Sequence, residues 1–427
     1  MGLRSARETA AMRAVRMLRT ADRQYKRYEQ SRRRGPRACY GRQIGAKKFV
    51  NRQRKIKYCL QNGRTGDKLV PMEIWKIDQN FAPGKVRTEG DVVHYALPCA
   101  PFDLYGIFYD EAEKRFARLP ADVAAATSEG VVWLRKHTSG GRLRFSTDSD
   151  YFEVAAQYKM FEPYSHMPLS GSCGFALVDE TDPAAPFLAG EMRAEATNAE
   201  GFASSCLLPG DKMRQYTLYF PLYNEVTGVQ IGLKEGAAVQ GGRAYRKGGP
   251  VLYYGSSITQ GGCASRPDNC YPAYISQWTN TDYINLGFSG NGKAEPAMVE
   301  YLASLPCRAF VCDYDHNAPD AEYLEKTHRP LYETFRAAQP QTPILFMTKP
   351  DFENEPQTDL RRSIIRATYE YARKNGDKNV YFLDGETLFG KEDRMHCTVD
   401  KCHPNDLGFY RMAKAVYAKL CEAKVFD

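Results

Sequence analysis

At 427 residues the chain is long enough for two domains with full hydrophobic cores, and its 43% apolar and 26% charged residues are those of a globular protein. The formal charge of +8 is uneven: residues 1–70 hold 21 Lys/Arg against 4 Asp/Glu, a net of +17, which leaves 38 against 47 in 71–427, a net of −9. With no apolar run of about 18 residues and no apolar start, neither a membrane span nor a secretory signal is supported, and a cytoplasmic location is the default expectation. Twelve Cys without a C-x-x-C pair read as reduced core thiols rather than a disulfide framework.

Residues 1–71 are an Arg-rich, apolar-poor arm. Three readings compete for it: a polyanion-binding arm, an organellar transit peptide, or a tail upstream of a start at Met72. The third is favoured, because aromatic interleaving and a nucleic-acid motif are both missing, so nucleic acid is not an expected partner. Myristoylation fails, since Ala6 stands where Ser or Thr is needed.

Residues 72–245 read as β-rich. GVVWLRKH, GRLRFSTD, YFEVAAQYK, CGFALVDE, QYTLYFPLY and GVQIGLKEG are short and rich in aromatic or β-branched residues, with turns at Ser139-Gly140-Gly141 and Asp179–Pro183. Many short strands with little helical periodicity predict a β-sandwich or jelly roll. The Gly-rich, basic AVQGGRAYRKGGP then marks a domain boundary.

From 246 to 427 the period changes. Apolar runs (VLYYG, YINLGF, RAFVCDY, PILFMTK, VYFLDG) alternate with amphipathic helix patterns, which predicts an α/β domain with a parallel sheet covered on both faces. Thr358 is a predicted cap for a helix with Leu360, Ile364, Ala367 and Tyr371 on one face and Gly376 at its end. Asn405 is a predicted cap for another, with Leu407, Met412, Ala413 and Val416 inward. Chemistry in such sheets gathers at the carboxyl ends of the strands.

Four strand exits carry candidate residues. VLYYGSSITQGG places Ser256 and Ser257 at an exposed strand end, where a serine nucleophile would stand; the plain alternative is a capping turn serine. YINLGFSGNG offers the Gly290 N–H, and RAFVCDYDHNAP offers the Asn317 amide, as donors to an oxyanion. For Asn317 an Asx turn is equally compatible. TVDKCHPNDLGF places His403 just before a helix, with Asp400 three residues earlier to orient it. His396, Cys397, Cys402 and His403 also offer four metal-type ligands, a zinc alternative weakened by their spacing.

Together these four blocks resemble the SGNH/GDSL hydrolase superfamily. More closely, the chain resembles its two-domain acyl-esterase family, whose N-terminal domain is named for a GxDLY motif; PFDLYG, FARLP and SGGRLRFSTDS carry that part. The resemblance implies a three-layer α/β/α, flavodoxin-like hydrolase domain preceded by a β-sandwich. It aligns Ser257 with the nucleophile, Gly290 and Asn317 with the oxyanion donors beside the Ser257 N–H, and Asp400 and His403 with the D-x-x-H pair. It implies no metal or organic cofactor. Three departures stand out: Ser256 for the usual Asp, Pro101 for the Gly of GxDLY, and His316-Asn317-Ala318 for Gly-x-Asn-Asp. The expected function is hydrolysis of short acyl esters, acetyl above all, on small molecules or oligosaccharides. The rivals are a non-catalytic carbohydrate-binding protein and a lipase or thioesterase on the same fold.

Overall fold

The computed structural model describes residues 90–159, 161–194, 200–350 and 356–427; the basic arm and the first part of the expected sandwich lie outside them. The described residues belong to one compact unit. Its N-terminal part is built from two antiparallel sheets. One has the order β1 (Val92–Ala96), β11 (Gly228–Lys234), β6 (Tyr151–Gln157), β9 (Gly201–Leu207). The other runs β12 (Val239–Gly241), β5 (Arg142–Thr147), β10 (Arg214–Tyr219), β7 (Phe175–Asp179), β8 (Phe187–Met192), with β2 (Asp103–Tyr105) also paired to β5. A small hairpin joins β3 (Phe108–Asp110) to β4 (Arg115–Ala117).

Alternation along the strands turns one set of side chains from each sheet into a shared core. Phe152, Val154, Val229 and Ile231 of the first sheet meet Phe145, Phe175, Leu177 and Leu218 of the second. Antiparallel sheets buried on one face show this period-two pattern.

One expected strand is a helix. GVVWLRKH falls largely in α2 (Glu129–Leu134), which follows α1 (Ala121–Thr127). The Val-Val-Trp run has strand propensity, but Ser128 caps the helix by accepting from the Val131 N–H at 3.3 Å. Leu119, Ala124, Val131 and Leu134 pack with residues of the C-terminal sheet and its helices, so tertiary burial overrides a weak local preference. Two further short helices are α3 (Leu169–Ser172) and α4 (Ser257–Gln260).

The C-terminal sheet is parallel, with order β14 (Tyr283–Gly287), β13 (Val251–Gly255), β15 (Ala309–Asp313), β16 (Ile344–Met347), β17 (Val380–Leu383). This is the 2-1-3-4-5 order of flavodoxin-like folds. All five expected apolar runs are strands. Alternate residues serve opposite faces. Val251, Tyr253, Val311, Leu345 and Met347 pack against α5 (Tyr271–Thr279) and α9 (Asp406–Glu422). Leu252, Tyr254, Phe310, Cys312 and Phe346 pack against α6 (Pro296–Ser304), α7 (Ala321–Ala338) and α8 (Pro356–Lys374). Three layers result. No helix among the described residues is long and apolar enough to cross a membrane.

Two helix expectations need adjustment. Helix α8 begins before Thr358 rather than being capped by it, and its buried line is Thr358, Ile365, Thr368 and Ala372, while Ala367 and Tyr371 are exposed. Gly376 does end the helix in a left-handed conformation, φ +90°. Asn405 caps α9 by accepting from the Gly408 N–H at 3.1 Å, and Met412, Ala413 and Val416 are buried, but Leu407 faces solvent.

Candidate active site

Strand β13 ends at Gly255, and the chain turns at once into α4. Ser256, in the slot of the usual Asp, uses its hydroxyl to accept the Ile258 N–H at 3.1 Å. Such a cap is worth about 1 kcal/mol, so the replacement keeps the local function of the missing carboxylate. Ser257 is the first residue of the helix and is 6% exposed. Its Oγ lies 2.9 Å from His403 Nε2, and His403 Nδ1 lies 2.7 Å from Asp400 Oδ2.

The Asp400–His403 loop is self-ordering. Asp400 Oδ1 accepts the backbone N–H groups of His403 at 2.7 Å and Cys402 at 3.1 Å, leaving Oδ2 for the imidazole. Partial burial raises the Asp400 pKa, but the His403 and Cys402 hydrogen bonds outweigh it and hold the carboxyl below its ordinary value. Lys401 takes up the reversal with φ +69°.

Two more strand exits close around Ser257. The Phe288 N–H, just past β14, donates to Gly255 O at 2.9 Å. Asn317, just past β15, donates from Nδ2 to Phe288 O at 2.8 Å, which leaves its second amide hydrogen for another acceptor. Gly290 has φ +67°, and open space surrounds the position its Cβ would take. Among the described residues its N–H has no protein acceptor. The structure thus brings Ser257, Gly290, Asn317, Asp400 and His403 to one edge of the sheet. Cys397 is buried beside Asp393 O, Cys402 Sγ lies 3.0 Å from His316 Nε2, and among the described residues the group of possible metal ligands that includes His403 does not include His396, Cys397 or Cys402. The zinc alternative for residues 396–403 therefore has no grouped ligand set.

Several residues at this edge escaped the sequence reading. Gln260, fully buried at the end of α4, accepts the Ser289 N–H through Oε1 at 3.1 Å. Its Nε2 donates to Leu222 O at 3.1 Å and lies 3.0 Å from His137 Nδ1. Burial, then the Arg118 and Lys136 charges, pushes the His137 pKa down to about 3, so its ring is a neutral acceptor. Ser139 Oγ donates to Gln260 O at 2.6 Å, and Tyr223 OH to Ser257 O at 3.2 Å. Arg118 donates to Asn285 O and Gly287 O at the end of β14, while Arg142 pairs with Asp282 and lies over the Tyr283 ring at 3.8 Å. The two-sheet part thus grips the Ser257 turn and the strand leading to Gly290. No sequence signal marks Gln260; the partners lie 29 to 123 residues away.

Gly262 explains the Gly-rich tail of that turn. A Cβ there would meet Tyr223 OH at 2.9 Å, Ser257 O at 3.1 Å and His403 Cδ2 at 3.3 Å. Asp313 is buried below the turn and bonded to Thr259 Oγ1. Burial is the main cause that drives its pKa well above the ordinary value. His166 and Cys263 also border His403: the two imidazole centroids are 5.6 Å apart, and burial raises the Cys263 pKa to about 12.

The Gln260 bridge gives a first prediction. Gln260→Ala should lower kcat for p-nitrophenyl acetate roughly tenfold to hundredfold, with KM changed little, because Ser289 would no longer hold the Gly290 loop in place. An equal rise in KM at constant kcat, measured by initial rates, would remove this positioning role.

Comparison with known proteins places both parts of the chain in described families. Residues 248–421 match the GDSL-like lipase/acylhydrolase family, and residues 95–239 match the GxDLY N-terminus of SGNH-hydrolase-type esterases. A protein from Bacteroides ovatus described as a GDSL-like lipase is 26% identical, with a TM-score of 0.68 over 78% of this chain and 98% of its own. A salicylyl-acyltransferase, SsfX3, from a tetracycline biosynthetic pathway is 20% identical, with a TM-score of 0.62 over 78% and 98%. An active-site mutant of a family two carbohydrate esterase from Clostridium thermocellum is 13% identical, with a TM-score of 0.52 over 79% and 100%. The last two likenesses are of fold. No curated protein matches the chain.

Proposed function

The chain belongs to the SGNH/GDSL esterases with a GxDLY-type N-terminal domain, and from that premise we propose that it hydrolyses short-chain acyl esters, acetyl esters of carbohydrates first among them, through Ser257, His403 and Asp400. The observation that carries the reading is the unbroken relay from Ser257 Oγ to His403 Nε2 at 2.9 Å and from His403 Nδ1 to Asp400 at 2.7 Å. Both contacts are within hydrogen-bond reach, the geometric condition for base-assisted nucleophilic attack.

His403 takes the Ser257 proton as Oγ attacks the ester carbonyl, and Asp400 stabilises the resulting imidazolium. The Ser257 and Gly290 N–H groups and the Asn317 amide receive the oxyanion. The imidazolium then protonates the leaving alcohol. Water, deprotonated by His403, releases the acid from Ser257 and restores the enzyme. The short acyl chain and the sugar are supported by shared layout alone, since the likeness to the carbohydrate esterase is one of fold. A purely carbohydrate-binding role leaves the relay unexplained.

Initial rates on p-nitrophenyl acetate, butyrate and octanoate, and acetate release from acetylated oligosaccharides, test the proposal. We expect the acetate ester to be turned over fastest and acetylated oligosaccharides to release acetate. Faster octanoate hydrolysis would instead point to a lipase, and no turnover of any ester would end the esterase reading.

A further inference from the structure

His403 has two neighbours that the hydrolytic relay does not use. His166 lies on the chain between β6 and α3, and Cys263 follows α4 on the turn that carries the nucleophile. One ligand atom from each of His166, Cys263 and His403 lies within 4.8 Å of the other two. His166 is exposed, Cys263 is 3% exposed and His403 is intermediate. Among the described residues neither the His166 ring nor the Cys263 thiol has a hydrogen-bond partner; the His166 ring is held only by edge and tilted contacts with Tyr164 and His403. A second imidazole and a thiol, from two distant parts of the chain, are thus gathered beside the His403 ring.

We propose that His166, Cys263 and His403 form an inhibitory binding site for a divalent cation of zinc type. Imidazole nitrogen and thiolate sulfur are the donors such an ion selects over magnesium or calcium. Zinc binds nitrogen at about 2.0–2.1 Å and sulfur at about 2.3 Å, so tetrahedral ligand atoms stand roughly 3.5 Å apart. The ligand atoms, now within 4.8 Å of one another, must draw together by about 1 Å on binding. Water fills the fourth position. Asp400 stays on the far ring nitrogen of His403, the carboxylate–histidine support that metal-bound imidazoles commonly have.

The chemistry balances without oxidation or reduction. The Cys263 S–H proton leaves to solvent as the sulfur–metal bond forms. The His403 Nε2 lone pair, otherwise the acceptor for the Ser257 proton, goes to the metal. Ser257 then has no base. Binding therefore switches off hydrolysis, and removal of the ion restores it. The site itself does not depend on the esterase reading; only its inhibitory consequence does.

The test titrates the full chain with zinc chloride against a chromogenic chelator and with cobalt(II), while following p-nitrophenyl acetate hydrolysis. We expect one zinc bound at micromolar or lower concentration, a thiolate-to-cobalt charge-transfer band, loss of hydrolysis in parallel and recovery with EDTA. His166→Ala and Cys263→Ser should keep metal-free activity and weaken zinc binding tenfold or more. His166→Ala alters only an exposed side chain, so it remains informative if Cys263→Ser folds poorly. Unchanged zinc binding in His166→Ala would overturn the site. So would a charge-transfer band that persists in both variants, since the metal would then sit on other cysteines. Ser257→Ala should bind zinc as the wild type does. If that variant kept hydrolysing esters, the catalytic assignment would fail while the metal site stood.

Discussion

Ser257→Ala should fold normally and lose roughly 10⁶-fold in kcat on p-nitrophenyl acetate. Alanine suits the first position of α4, and the cap comes from Ser256, not Ser257, so little stability is at stake. The His403 imidazole would lose one hydrogen bond and remain held by Asp400. The loss would therefore fall on chemistry. Circular dichroism and thermal unfolding would show a native chain, and the residual rate would report what the oxyanion donors and substrate binding achieve alone. A decrease of less than tenfold would mean that another group attacks the ester.

The second large effect concerns the acid of the relay. Asp400→Asn should lower kcat by about 10⁴-fold. An amide nitrogen facing His403 Nδ1 favours the ring tautomer that presents N–H, rather than a lone pair, to Ser257. The same change spares one acceptor oxygen for the His403 and Cys402 N–H groups, so the loop keeps its shape. The folded carboxyl titrates below its unfolded value. The stability it contributes is therefore fully present above the unfolded pKa, about 3.9, and is lost as pH falls through the folded one. At neutral pH Asp400 is ionised and does not supply the titrating limb of a pH–rate profile in that range. If Asp400→Asn retained wild-type kcat, the carboxylate would be a loop-ordering group only.

The local parts of the fold and site were legible in the sequence. Asp400 and His403 are three residues apart, a spacing that lets the carboxylate reach the imidazole and that the family resemblance marks as a pair. The junction where an apolar strand meets small residues is visible from periodicity, but the choice of Ser257 over Ser256 there rests on the family resemblance. The parallel sheet is equally visible, because five apolar runs alternate with amphipathic helices. The GVVWLRKH segment reads as a strand but forms a helix, because its strand propensity competes with the Ser128 cap and burial against the C-terminal layers decides the outcome. Helix α8 turned out differently because its inward face is set by Ile365 and Ala372 meeting the sheet, not by the longest apolar periodicity. Gln260, His137, Tyr223, His166 and Cys263 converge only through tertiary structure. Their partners are far away in the chain, and no spacing rule connects them.

The SGGRLRF stretch carries part of the family resemblance, but its physical task is clear only in three dimensions. Gly140 packs closely against Asn285, and Arg142 donates to Tyr283 O at 3.1 Å. Both serve β14, which carries Gly290 at its exit. The N-terminal half thus packs against the strand leading to Gly290 as well as against the turn that carries Ser257.

The most direct test of the central claim is to trap the covalent intermediate. A fluorophosphonate probe followed by peptide mass spectrometry should place a single stoichiometric adduct on Ser257 in the wild-type chain, with labelling slowed by orders of magnitude in His403→Ala. An adduct on a different residue, or full ester hydrolysis by a chain that the probe leaves unlabelled, would contradict the account.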